Sequence, residues 1–462
     1  MFSLLSALIL AQATPEESPP QPQEIVRPQQ VEPLPGQLDT VPVFNSNSPE
    51  LVESEGILLS TFPTEGMANP SAHLNFGFDG RFDVFAHHVY RASSEDDLRS
   101  LYLGVMLYNP GDRPVTVDIL QAASYLSQPD APFVTLPDWV ENPQGNVYAG
   151  PGSRVMSDIL RGQRQGQFPA QVEIPPGEYQ MLLNLPIPIA ELEPPINGRS
   201  TLMRLRSRST GDRDVIYAAS LALYAPLDEN GQERPPTLEE WQELLETGDL
   251  STPRDRPPTP LDQSGGQIIY GRVAGVSQGS SWQAQLTDSG SSYLSIPVDA
   301  PISFGLSTLV AGRLGTEQVQ SAPMLVRYPD TAYQAHGNYG VHYSLRMLLF
   351  NPSSDSNGME SGAIAISLET PIKEDELSEE GLRFFEPLPN QVFFRGTVRV
   401  RYTDEQGLPR TRYVHLVQRR GQRGTPLATV QVPRLGTSLV EVDFLYPPDS
   451  TPPQVLTISP VE

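Results

Sequence analysis

Eight arginines crowd residues 395–423: Arg395, Arg399, Arg401, Arg410, Arg412, Arg419, Arg420 and Arg423. A guanidinium group offers a planar fork of donors that grips carboxylate, sulfate or phosphate through two parallel hydrogen bonds. Asp404-Glu405-Gln406-Gly407 reads as a hairpin turn. A two- or four-residue loop centred on Glu405 and Gln406 sets Arg401 opposite Arg410 and Arg399 opposite Arg412. Like charges directly opposed destabilise a sheet, so such a hairpin needs an offset. Either carboxylates from elsewhere in the chain supply it, or an external polyanion does, such as an acidic polysaccharide or the phosphates of lipopolysaccharide. The candidate anion-binding set is Arg395, Arg399, Arg401, Arg410, Arg412, Arg419 and Arg420. Arg204, Arg206 and Arg208 form a second, weaker instance.

Other constellations carry less. Gly275-Val276-Ser277-Gln278-Gly279 matches G-x-S-x-G, with Asp330 and His415 following in the order of a hydrolase triad. A nucleophile elbow needs a strand, a tight turn and a helix, and the short β-rich segments here read instead as a glycine-serine hairpin. Of six histidines, His87 and His88 are adjacent and face opposite ways on a strand, and the spacing of His336 and His342 fits no zinc motif. Asp228-Glu229-Asn230-Gly231 and Asp355-Ser356-Asn357-Gly358-Met359-Glu360 resemble fragments of calcium loops without the full spacing, so turns are the commoner reading and surface calcium the other. No cofactor, resident metal or catalytic residue is expected.

The elements that must position these groups are strands. Apolar residues alternate in short bursts between Gly, Pro, Asn and Asp, at 57–62, 82–90, 101–108, 115–120, 172–174, 179–185, 201–208 and 215–224. Asn109-Pro110-Gly111-Asp112 reads as a hairpin or sandwich corner. One segment breaks the pattern: Thr237 and Glu240 form a capping box, and Leu238, Trp241, Leu244 and Leu245 share a helical face, predicting a helix over 237–247. Pro-rich stretches flank it, and Trp241 is expected to dock it across a domain junction. The organisation expected is a β-sandwich-like domain at 36–225, a Pro-rich linker at 226–265 carrying the helix, and a second β-sandwich-like domain at 266–462. Features recur in order in the two halves: an Ala-His pair (Ala86-His87, Ala335-His336), a strand ending in Asn-Pro, and an Arg-alternating strand. That order suggests an internal duplication.

Composition narrows the function. The 462 residues include 36 Gly and 48 Pro, no Cys, and a net charge of −24. A surface so acidic on average does not hold a phosphate backbone, which argues against nucleic acid. Disulfides and thiolate chemistry are absent, and lysine chemistry is confined to Lys373, the single lysine beside 30 arginines. The apolar run at 2–10 followed by Ala11-Gln12-Ala13 reads as a signal peptide over 1–13, and the Pro-, Gln- and Glu-rich 14–35 as a disordered linker. No later run is long enough to span a bilayer as a helix. The expected address is export, to the periplasm, cell surface or medium.

Five blocks carry a resemblance: Gly36-Gln37-Leu38-Asp39 with Val41-Pro42-Val43-Phe44-Asn45-Ser46-Asn47, Phe85-Ala86-His87-His88, Asn197-Gly198-Arg199-Ser200-Thr201-Leu202-Met203-Arg204, Tyr328-Pro329-Asp330-Thr331-Ala332-Tyr333, and Tyr446-Pro447-Pro448-Asp449. They resemble a cyanobacterial family of exported proteins catalogued as a domain of unknown function. The resemblance implies a cell-envelope or exported protein and supplies no catalytic residues. The function expected is a non-catalytic envelope protein binding acidic polysaccharide at the Arg hairpin. The alternatives are a hydrolase of envelope glycan or ester, and a self-assembling surface-layer or fibre component.

Overall fold

The computed structural model describes residues 21–92, 94, 96–208, 215–263, 266–352, 361–404 and 406–461. The signal-peptide reading and the calcium-like fragment at 355–360 lie outside them. The fold is mainly β, built as two sandwiches.

In the first, a nine-stranded sheet runs Gln171–Ile174, Val115–Leu126, Ile196–Ser207, Arg81–Arg91, Pro42–Ser46, Ala274–Gln278, Ala322–Arg327 and Gln334–Ala335, with Leu51–Val52 beside Arg81–Arg91. It faces a four-stranded sheet of Tyr179–Ile187, Leu101–Tyr108, Tyr217–Tyr224 and Gly56–Ser60. Strand alternation decides which side chains meet between them: Leu103, Val105 and Leu107 join Phe82, Val84, Met203 and Leu205 in one core. The Asn-Pro-Gly-Asp segment is the corner between the sheets. Buried Asn109 holds it, donating to the carbonyls of Arg113 (2.7 Å) and Ile174 (2.9 Å) and accepting from the N–H of Gly111.

The second sandwich faces a seven-stranded sheet, Ser281–Leu286, His342–Phe350, Thr437–Leu445, Val392–Thr403, Pro409–Arg419 and Trp139–Glu141 with Leu294–Ser295 added, against a five-stranded one. That partner sheet runs Gln30–Glu32, Ile302–Leu306, Gln454–Pro460, Ser361–Glu369 and Ala428–Pro433. Its core takes Leu345, Met347, Val398, Val400, Val440 and Val442 from one side and Ile366, Leu456 and Ile458 from the other.

Five features differ from the sequence expectation. The stretch expected as a disordered linker is strand over Gln23–Pro28, paired with Gly381–Glu386, and over Gln30–Glu32, paired with Ile302–Leu306. Its polar composition suits strands exposed on one side, whose partners lie far away in the chain. The halves also exchange strands across residues 226–265. Ala274–Gln278 and Ala322–Arg327 extend the first sandwich, while Trp139–Glu141 edges the second.

A further helix, α1 (Pro151–Leu160), accompanies the expected one, α2 (Leu238–Thr247). Helix α1 is wedged between the outer faces of the two large sheets, its Val155, Met156 and Ile159 meeting Val43, Phe85 and Leu202 of one and Leu445 of the other. Gly152 permits the approach, because a Cβ there would lie 2.3 Å from Pro448. Helix α2 has its capping box, Glu240 N–H to Thr237 at 3.3 Å and Thr237 N–H to Glu240 at 2.8 Å. Trp241 docks it on the outer face of the four-stranded sheet against Gly104, within the first sandwich rather than across a junction. No described helix is long and apolar enough to cross a membrane.

The repeated features diverge where the arginines lie. Val392–Thr403 and Pro409–Arg419 pair directly, whereas Ile196–Ser207 and Tyr217–Tyr224 lie in opposite sheets.

Candidate functional site

The Arg hairpin closes through five residues. The Asp404 carboxylate accepts from the N–H groups of Gln406 (3.0 Å) and Leu408 (2.8 Å), and Thr403 pairs with Pro409. An odd-length loop moves the register by one from the expected pairing. Arg401 faces Thr411, Arg399 faces Tyr413, Arg412 faces Val400 and Arg410 faces Tyr402, so no two of these arginines oppose each other.

Each of the four instead meets a carboxylate. Arg399 and Arg401 share Asp443 at 3.1 and 3.3 Å, and Arg401 also reaches Glu441 at 3.3 Å. Arg410 pairs with Asp404 and Arg412 with Glu141, each at 2.6 Å, and the Arg412 guanidinium also lies over the Trp139 ring. Asp443 is 1% exposed. Burial would raise its pKa, but the His342 ring 3.4 Å away, the Arg399 charge and the Ser344 hydroxyl overcome this and hold it at about 2. In the weaker set Arg204 lies near Asp83 (3.7 Å) and Arg208 on Asp118 (2.7 Å), while Arg206 is exposed.

Arg395, Arg419 and Arg420, at the other end of the same two strands, have no carboxylate within ion-pair distance among the described residues. Arg420 is exposed and lies over Phe385 and Phe393. Arg395 and Arg419 line a cleft of about 500 Å³ whose other wall is the loop at 133–138. Phe133, 54% exposed, stands in its mouth with the Arg395 guanidinium 5.4 Å from its ring centre. The ring is seated on Gly150, the N-cap of α1, where φ is +92° and a Cβ would collide with it. Asp138, Gln422 and Asn390 add polar groups, Gln422 donating to Asp138 at 2.9 Å. Burial pulls the Arg395 pKa down, and the charge of Asp449 opposes that. Asp449 sits half-buried at the start of α1 with its Oδ2 shut off from water, and this burial outweighs Arg395 and the N–H groups of Gly152 and Ser153 and raises its pKa to about 6. The cleft thus joins an aromatic face to two guanidinium groups free to take a ligand's anions.

The other motifs stay apart. Gly275 to Gly279 is strand and turn leading into another strand, not into a helix, and Ser277 is buried within its sheet. Asp330 pairs with Arg254 (2.8 Å), and His415, in the other large sheet, bonds Thr397 (3.2 Å). His87 and His88 bond Ser200 (2.6 Å) and Ser46 (2.9 Å), and burial lowers their pKa values to about 3 and 4. Asp228 accepts from the N–H groups of Asn230 and Gln232, both 2.8 Å, which closes a turn. Among the described residues no group of three His, Asp or Glu is placed to hold a metal.

Sequence reasoning missed two things: the Phe133 wall of the cleft, and a cavity of about 160 Å³ between the sandwiches that includes Asn45, Asn47, Tyr270, His336 and the single lysine, Lys373. Lysine scarcity was the available signal for the second. An apolar pair, Phe133-Val134, inside a loop was the signal for the first.

The family model described as "Protein of unknown function (DUF3370)" matches residues 29–460. The chain belongs to that family. The matched span includes both sandwiches and the residues of the cleft and the cavity. No curated protein matches the chain. Among solved structures, procruciferin, an 11S globulin from Brassica napus, is 9% identical over 88% of this chain and 84% of its own, with a TM-score of 0.09, too low to bear on fold or function.

Proposed function

We propose that this protein is a non-catalytic, exported envelope protein that holds an acidic polysaccharide in the cleft between the 133–138 loop and the base of the Arg hairpin. The apolar run at 2–10 with its A-x-A site supports export, and the resemblance set out above supports a cyanobacterial source. The observation that carries the binding reading is the convergence of Arg395 and Arg419, both without carboxylate partners, beside the exposed ring of Phe133. Guanidinium groups take the acid groups of the polymer, and the aromatic face packs on the apolar face of a sugar ring. The binding set is narrower than the seven arginines expected from sequence, since four are engaged by carboxylates.

Retention on polygalacturonate and on neutral dextran tests it. The protein should be retarded by the acidic polymer alone, less so as salt rises. Retention should fall about tenfold or more in Arg395→Gln/Arg419→Gln and persist in Arg410→Gln. Unchanged retention in the double variant eliminates the cleft.

A further inference from the structure

The cavity between the sandwiches holds polar groups that the fold itself leaves without partners. Asn45 and Asn47 are 4% and 2% exposed, line the cavity, and have side-chain carbonyl oxygens with no hydrogen-bond partner. His336, also in the wall, has an unpartnered Nδ1. Buried polar atoms are nearly always satisfied, so two orphaned amides and an imidazole in one wall point to something that occupies it. Lys373 adds a positive charge to the same wall. Its Nζ donates to the Tyr270 hydroxyl at 2.6 Å, the Tyr270 hydroxyl in turn donates to the Val310 carbonyl, and no carboxylate lies within ion-pair distance of the amine among the described residues. An ammonium with spare donors therefore shares a pocket with unfilled acceptors. The volume would hold on the order of ten waters or one small ligand.

We infer that this cavity binds a small hydroxylated carboxylate of the sugar-acid class, its carboxylate on Lys373 and its hydroxyls on Asn45 and Asn47. A carboxylate alone cannot donate to the amide oxygens, and a neutral polyol leaves the ammonium without a counter-charge. A hydroxyl serves either face of an amide, whichever way the Asn side chains are turned. The charged and titratable groups around Lys373 are Asp375, which supports its proton and is itself paired with Arg313, and in the cavity wall Tyr270, His336, Tyr339 and Arg272, the last paired with Glu50. Burial outweighs Asp375 and lowers the Lys373 pKa to about 8. A bound carboxylate favours the protonated amine, so affinity should be highest below that value and fall as pH rises through it.

The site shares no lining residue with the cleft, so the two proposals stand or fall separately. A chain with one lysine gives a direct test: protein labelled with ¹³C at lysine Cε carries a single such resonance, from Lys373. Its pH titration is followed alone and with D-glucuronate, D-glucose or acetate. Glucuronate should move the titration midpoint up by about one unit, equivalent to about tenfold tighter binding to the protonated amine, and should bind about tenfold more weakly to Lys373→Met. Glucose and acetate should do much less. No shift with glucuronate, which would leave the cavity to water, or an equal shift with acetate, overturns the assignment without relying on any variant.

Discussion

Two groups of arginines sit on the same pair of strands and have opposite fates. At the turn end, Arg399, Arg401, Arg410 and Arg412 are each held by a carboxylate, and Asp443, which two of them share, is withdrawn from water. At the base, Arg395 and Arg419 face a cleft with no carboxylate of their own. Density of charge along the chain therefore does not locate a binding surface. What locates it is which guanidinium groups the fold leaves uncompensated, and that is decided by strands distant in sequence, Thr437–Leu445 and Trp139–Glu141.

The comparison breaks most readily at Asp443. Asp443→Asn strands Arg399 while Arg401 keeps Glu441, and since the lost carboxylate is buried but the guanidinium groups are partly exposed, urea unfolding near pH 7 should show a loss of about 3 kcal/mol with the cleft's ligand retention little changed. A loss below about 1 kcal/mol would mean that these pairs behave as solvated surface pairs.

Asp449 sharpens it with the opposite sign. Its folded pKa is raised from 3.8 to about 6, so the stability it contributes is fully present below its unfolded value and is lost as pH rises through about 6. Asp443, lowered from 3.8 to about 2, contributes stability above its unfolded value that is lost as pH falls toward 2. Asp449→Asn should accordingly stabilise at about pH 8, on the order of 1–3 kcal/mol, and have little effect at about pH 4. An effect independent of pH across that window contradicts the burial argument.

The smallest effect belongs to Arg410, 52% exposed at the side chain in its pair with Asp404. Arg410→Gln should change stability by about 1 kcal/mol or less by thermal unfolding. A larger loss would place the turn end under the same burial as Asp443.

Much of the fold was legible and its assembly was not. Period-two alternation marks Leu101–Tyr108 and Val115–Leu126, and the Thr237–Glu240 box marks α2, because both signals are local. Helix α1 carries no side-chain N-cap and begins at Gly150-Pro151-Gly152, which reads as a turn and hides the helix, although Val155, Met156, Ile159 and Leu160 share one face opposite Arg154, Ser157 and Asp158. The strands at Gln23–Pro28 and Gln30–Glu32 exist through partners some 270 to 360 residues away, which composition does not reveal. For the site, the arginines were legible, but their roles turned on a register set by one odd-length loop. The Asn45, Asn47 and Lys373 cavity forms only where distant segments meet.

The most direct measurement takes two double variants, Arg395→Gln/Arg419→Gln and Arg399→Gln/Arg401→Gln, and determines unfolding free energy and polygalacturonate affinity for both. The account predicts a crossed pattern: the first loses about tenfold or more in affinity with stability nearly kept, and the second loses stability with affinity nearly kept. Equal loss of affinity in both, or loss in neither, would contradict the division between structural and ligand-facing arginines.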